Sequence, residues 1–216
     1  MDVSTFEFII RQCQIGDETA LSLLGTATFL ETYAGTAEAA DILAHVETEH
    51  SAESYRTWLQ SDIAKIWVAE TLVGRSAVGY AVALTSQNNG FCVEMEIRRL
   101  YVLYRFHRNG LGHSLMNEVL ATARKNRVSG LFLKVEKANQ NAIDFYSRIG
   151  FRVVGEKPFR AGGERLYSPR YATRFLSRRT KQSGVPGFTN AARFSGFASQ
   201  PARSLRLRCR HQIPQR

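Results

Sequence analysis

Between Met95 and Glu156 the chain reads as strand, glycine turn, helix, strand, helix, strand. This order constrains the fold more than any other feature. MEIRRLYVL (Met95–Leu103) is a strand and YRFHRNGLG (Tyr104–Gly112) a turn, followed by the helical run HSLMNEVLATARKN. LFLKVE (Leu131–Glu136) is a second strand, NQNAIDFYSRIG (Asn139–Gly150) a second helix and FRVVGE a third strand. Leu111, Leu115 and Val119, with Met116 and Leu120 beside them, recur at helical spacing. Gly110 and Gly112 therefore stand at a helix N-terminus, where the chain turns sharply and a ligand can approach the backbone. The first N–H groups there have no partner within the helix, and the helix dipole adds about half a positive charge. A diphosphate suits such a site, with Arg105 and Arg108 adding charge. The turn is not a dinucleotide fingerprint, which needs three glycines and a later acid. Nor is it a Walker loop, because no Gly-Lys-Ser/Thr follows.

The strand before this turn carries a phase slip. Val93, Met95 and Ile97 alternate with Glu94, Glu96 and Arg98, and then Leu100 and Val102 resume one residue out of step. An extra residue near Arg98–Arg99, a β-bulge, accounts for the slip. In the second helix, Asn139 is placed to cap the N-terminus and Gly150 to close the C-terminus.

These two segments, in this order, resemble the paired cofactor motifs of the GCN5-related N-acetyltransferases, the GNAT superfamily. The phrase N-x-x-A-I-x-F-Y-x-x-x-G-F (Asn139–Phe151) is close to that family's pattern. The glycine turn departs from it, with His107 where Gln or Arg usually stands. The resemblance covers about residues 4–160. It implies a three-layer α/β/α fold with a mixed, splayed central sheet, acetyl-CoA as co-substrate, and direct attack of an amine on the thioester. It implies that His107, Arg108, Asn109, Gly110, Leu111, Gly112 and His113 frame the pyrophosphate. Leu100, Tyr101 and Val102 would line the pantetheine arm, and Asn139 would contact the arm or cap its helix. Tyr146 would protonate the departing sulfur. Glu96, with Glu94 in reserve, would accept the amine proton or attract the cationic amine.

The segment Thr28–Gln60 resembles the acceptor region of PaiA-type polyamine acetyltransferases. That implies Phe29 and Tyr33, with Glu31 and Glu38, beside an amine pocket, and a polyamine or other small amine as acceptor. Ribosomal-protein alanine acetyltransferases usually carry glutamate where this chain has Lys134, which counts against that branch. A protein N-terminus or lysine is the second acceptor class. A module that senses acyl-CoA without turnover is a rival from another class.

Composition sets outer limits. The chain has 216 residues, 44% of them hydrophobic, with no apolar run long enough for a membrane span. Cys13, Cys92 and Cys209 form no paired framework, and neither they nor the five histidines form a metal-ligand pattern. No metal is expected, and no signal peptide, and a cytoplasmic setting follows as the default. The net charge of +10 is uneven. Residues 1–156 carry 15 Lys and Arg against 18 Asp and Glu, whereas residues 157–216 carry 14 against one, Glu164.

Before the central segment, the pattern predicts a strand over 4–12, helices over 17–29 and 37–47, and a helix opening at Ser51. A hairpin, 63–70 and 77–84, follows, then a turn at Asn88-Asn89-Gly90. After it, PRYATRFL (Pro169–Leu176) is expected to add an antiparallel strand, with Pro169 at a sheet edge or strand start. An acetyltransferase domain is thus expected over 4–176. The extension 177–216, rich in Arg, Ser, Gly and Pro, is expected to be disordered. It reads as a dispensable run arising from a shifted frame rather than as a nucleic-acid or membrane interface. The oligomeric state stays open, with a homodimer as one option.

Overall fold

The computed structural model describes residues 7–88, 92–135, 137, 139–161 and 164–174. The extension 177–216, Glu136 and the Asn89–Gly90 turn lie outside these residues. Strand β1 (Phe8–Gln12) is followed by three helices, α1 (Glu18–Tyr33), α2 (Ala39–Glu49) and α3 (Ala52–Leu59). Strands β2 (Ala64–Thr71), β3 (Ala77–Asn88) and β4 (Cys92–Val102) form an antiparallel meander. A 3-10 turn (Tyr104–Phe106) leads to α4 (Leu111–Lys125), β5 (Gly130–Lys134) and α5 (Gln140–Arg148). Strands β6 (Arg152–Ala161) and β7 (Glu164–Arg174) complete one mixed sheet in the order β1-β2-β3-β4-β5-β7-β6.

The period-two alternation of the strands divides the core between two layers. On one face Trp67, Ala81, Met95 and Ile97 pack with Leu111, Leu115 and Val119 of α4 and with Tyr146 of α5. On the other, Ile66, Val68, Tyr80 and Val82 pack with Leu21 and Leu24 of α1 and Tyr55 of α3. The result is the expected three-layer α/β arrangement. Gly79 permits the close approach of β3 to β4, since a Cβ there would lie 3.0 Å from Val102 and 3.1 Å from the Tyr101 carbonyl.

Two local expectations change. Helix α1 continues one turn beyond Phe29 because no breaker intervenes before Gly35, whose φ is +87°. Phe29 and Tyr33 thereby become i, i+4 neighbours, with ring centroids 4.5 Å apart. Strand β7 is inserted between β5 and β6, so the strand holding Pro169 is not at the sheet edge. Its pairing with β5 nevertheless ends at Arg170, opposite Lys134. Pro169 thus pairs only with β6, opposite Glu156, where one side of β7 is locally an edge and a missing N–H is tolerated. No helix among the described residues is long and apolar enough to cross a membrane.

Candidate active site

Strand β4 forms the spine of the site. Val82 of β3 pairs with Arg99 and Ala83 with Ile97, which leaves Arg98 as the extra residue of a bulge. Parallel pairing of β4 with β5 covers only Glu94–Glu96 against Gly130–Phe132. Beyond Glu96 the β5-facing backbone of β4 has no strand beside it among the described residues. This opening is bordered by Leu100, Tyr101 and Val102, all half-buried. An extended chain with amide groups can pair with such a free strand edge as another strand would.

At the end of the opening the chain enters α4. Gly110 is its N-cap with φ +78°, and Arg108 also has a positive φ of 64°. Left-handed residues interleaved with ordinary ones turn successive N–H groups inward into an anion-binding concavity. The first helical bond is donated by the Ser114 amide to the Gly110 carbonyl, 3.0 Å. The amides of Leu111, Gly112 and His113 therefore precede the helical ladder, as in any helix start.

The side chains of this turn stabilise its shape. His107 Nε2 hydrogen-bonds the Val102 carbonyl at 2.7 Å, and the His107 amide donates to Tyr104 O. Asn109 Nδ2 donates to the carbonyls of Phe106 and His107. These two residues, expected to frame the pyrophosphate, thus brace the loop with their side chains.

Helix α5 is clamped onto this end of α4. A Cβ at Gly112 would sit 3.4 Å from the Phe145 ring, and Phe145 meets His113 edge-on at 4.8 Å. Asn139 caps α5, its Oδ1 accepting from the Ala142 amide at 3.0 Å. Tyr146 lies between Phe145 and Phe151, at 5.2 and 5.7 Å. Burial drives its phenol well above the usual range, with a smaller push from the Tyr101 phenol. Tyr146 thus keeps its proton at neutral pH, as a donor must, and Tyr101 stands near it from β4.

The opposite face of β4 carries the residues placed by expectation on the acceptor side. Glu96 is mostly buried, and its Oε1 lies 3.7 Å from both Arg98 Nη1 and Lys134 Nζ. Phe29 is closed into the protein, stacked on His45 at 4.2 Å, while Tyr33 stays half-exposed. Glu31 accepts the Tyr104 amide at 2.9 Å and so anchors the 3-10 turn to α1. Glu38 is exposed at the start of α2. The two carboxylates expected beside an amine pocket thus do not converge on Phe29.

A polar network lies beneath them. Buried Arg99 donates to Glu49 at 3.1 Å and to the Tyr55 hydroxyl at 3.0 Å, and stacks over Trp58 at 4.6 Å. The Tyr55 hydroxyl also shares hydrogen bonds with Tyr80, 3.1 Å, and with His50 Nδ1, 3.0 Å. Burial, then the Arg99 charge, pushes His50 down to about 3. Sequence reasoning missed Arg99, Tyr55, Tyr80, His45 and His50. The single available signal was Arg99, a charge at the position where the alternation of β4 slips.

The site thus consists of the free edge of β4, the amides at the start of α4 and the buried phenol of Tyr146 on α5. Residues 30–167 match the family described as Acetyltransferase (GNAT) domain. A stretch of 85 residues is 35% identical to an uncharacterised N-acetyltransferase of Mycobacterium bovis, covering 39% of this chain and 52% of that protein. A 57-residue stretch is 44% identical to the 5-NmdU N-acetyltransferase of Pseudomonas phage PaMx11, covering 26% of this chain and 36% of that protein. The chain therefore spans about half the length, or less, of these curated relatives. The fold extends further. It superposes on the PaiA N-acetyltransferase of Thermoplasma acidophilum, crystallised with coenzyme A, with a TM-score of 0.65 at 20% identity, over 78% of this chain and 99% of that one. With the family match covering well over half of its residues, the chain belongs to the GNAT acetyltransferases.

Proposed function

We propose that this protein transfers an acetyl group from acetyl-CoA to a primary amine by direct attack. The observation that carries the reading is the parting of β4 from β5 after a three-residue ladder, with the α4 N-terminus at the end of the gap. The coenzyme supplies an activated acyl group and a thiolate leaving group. The amides of Arg108–His113 bind the diphosphate, and the edge of β4 from Arg99 to Val102 pairs with the arm. Backbone N–H groups beside the bulge polarise the acetyl carbonyl. Tyr146 holds the proton that the departing sulfur takes up, and Glu96 receives the proton of the amine.

The acceptor is a small primary amine. A polyamine was the expectation from the N-terminal resemblance, yet the nearby carboxylates already face donors: Glu96 has Arg98 and Lys134 each at 3.7 Å, Glu49 pairs with Arg99, and Glu31 accepts the Tyr104 amide. Calorimetric titration with acetyl-CoA, followed by a thiol-release screen of primary amines including spermidine, tests the reading. Absence of binding, or binding without thiol release for any amine, would overturn it.

A further inference from the structure

The acceptor side of the opening is short of free negative charge and has two cations in reserve. Arg98 projects from the bulge, and its side chain retains 40% of its exposure. Lys134, on the neighbouring strand, retains 39%. Both reach the same carboxylate oxygen of Glu96, at 3.7 Å. Full ion pairs elsewhere in the protein are shorter: Arg11–Glu70 at 2.6 Å, Arg56–Glu18 at 2.9 Å and Arg99–Glu49 at 3.1 Å. Charge-assisted hydrogen bonds sit near 2.7–2.9 Å. The guanidinium of Arg98 and the ammonium of Lys134 thus keep their donors uncommitted, two positive charges against one negative.

Their surroundings do not cancel this excess. Glu49 is paired with Arg99, and Glu94, two residues before Glu96 on the same face, lies where β4 is still paired with β5 rather than at the opening. His45 is held uncharged chiefly by burial, with Arg99 and Arg98 adding to the effect and Glu49 opposing it. These groups surround the point where β4 leaves β5, which is where the acetyl group is expected.

We infer that the acceptor is an amine that also carries a carboxylate, and that Arg98 and Lys134 receive that carboxylate while Glu96 faces the amine. The inference rests on the acetyl-transfer reading and narrows its substrate class. A zwitterion matches the pattern, since its cation meets Glu96 and its anion meets the two spare donors. Arginine is suited to this task because its fork binds a planar carboxylate at two points. A polyamine brings only positive charge to a site that already holds two cations.

The test compares matched acceptors, free amino acids against their carboxamides, with spermidine alongside, in the intact protein and in Arg98→Gln and Lys134→Gln. The acids are expected to exceed their amides in kcat/KM by at least about tenfold, the usual scale of a charge-assisted contact. In either variant that ratio should fall toward one, with melting temperature and acetyl-CoA affinity preserved, and Arg98→Lys should recover part of it. Preference for amides or spermidine, or a ratio indifferent to both substitutions, would overturn the inference while leaving acetyl transfer intact. If no amine releases thiol, acetyl transfer fails. The anion site is then read by titrating the CoA-loaded protein with N-acetyl amino acids and their amides. Selective, Arg98-dependent binding of the acids upholds a carboxylate site at Arg98 and Lys134, and equal binding ends it.

Discussion

A phenol is a useful acid only while it keeps its proton, and at Tyr146 burial holds that proton in place. Its raised pKa means that the donor form persists through neutral pH and beyond the ordinary tyrosine range. The alkaline side of a kcat–pH profile should therefore show no loss from this group up to about pH 9.5. Tyr146→Phe should lower kcat by about ten- to a hundredfold at every pH, with acetyl-CoA affinity unchanged. Equal rates in a stopped-flow thiol assay would exclude the phenol from the chemistry. Gly25 is critical for a different reason. It lies inside α1, where alanine is normally the better helix former by about 1 kcal/mol. Here a Cβ would collide with His50 Nδ1 and the Tyr55 hydroxyl. Gly25→Ala should therefore lower stability by about 1–3 kcal/mol, the scale of overpacking, and a rise in melting temperature would contradict the argument. The place of Tyr146 on its helix was legible from the motif, whereas the role of Gly25 was not, since it depends on side chains more than twenty residues away.

At the scale of elements, the turn into α4 joins local strain to binding. Gly110 has φ +78° and open space around its missing Cβ, so a substitution there acts through the backbone alone. Gly110→Ala should cost about 1 kcal/mol in stability and weaken acetyl-CoA binding by several-fold or more, because the amides of the turn would rotate. Calorimetry would show the idea to be mistaken if affinity were untouched. The order of elements and the bulge were readable because both are written in short-range periodicity. The slip between Ile97 and Leu100 corresponds to the register shift that leaves Arg98 unpaired. The extra turn of α1 and the placement of β7 between β5 and β6 were not readable. The last turn of α1 is tied to the distant Tyr104 amide through Glu31, and the place of β7 follows from which sheet edge accepted the last strands.

For the molecule as a whole, the layer between α1–α3 and the sheet depends on an uncharged histidine. His50, pushed down to about 3, is buried and bonded to Tyr55. In the unfolded chain it titrates near 6.5, so the unfolded state binds more protons between these values. Its contribution is complete above about pH 6.5 and is lost progressively as pH falls toward 3. Asp17 is held low chiefly by its hydrogen bond with Arg11. Its contribution persists above about pH 4 and is lost only below that. Urea unfolding at pH 7 and pH 5 should therefore show a loss of about 1–2 kcal/mol that His50→Asn removes. An identical loss in that variant would reassign the effect.

The amino-acid sequence alone determined the succession of helices and strands, the glycine turn, the capping asparagine and the phase slip, because each depends on backbone angles and apolar spacing within a few residues. The tertiary structure alone decided that Arg99 meets Glu49, that Tyr55 meets Tyr80 and His50, and that Arg98 and Lys134 share Glu96. Most of these partners stand 25 to 50 residues apart. Their contacts follow from strand register and from which face of the sheet each helix covers, and no local pattern encodes either.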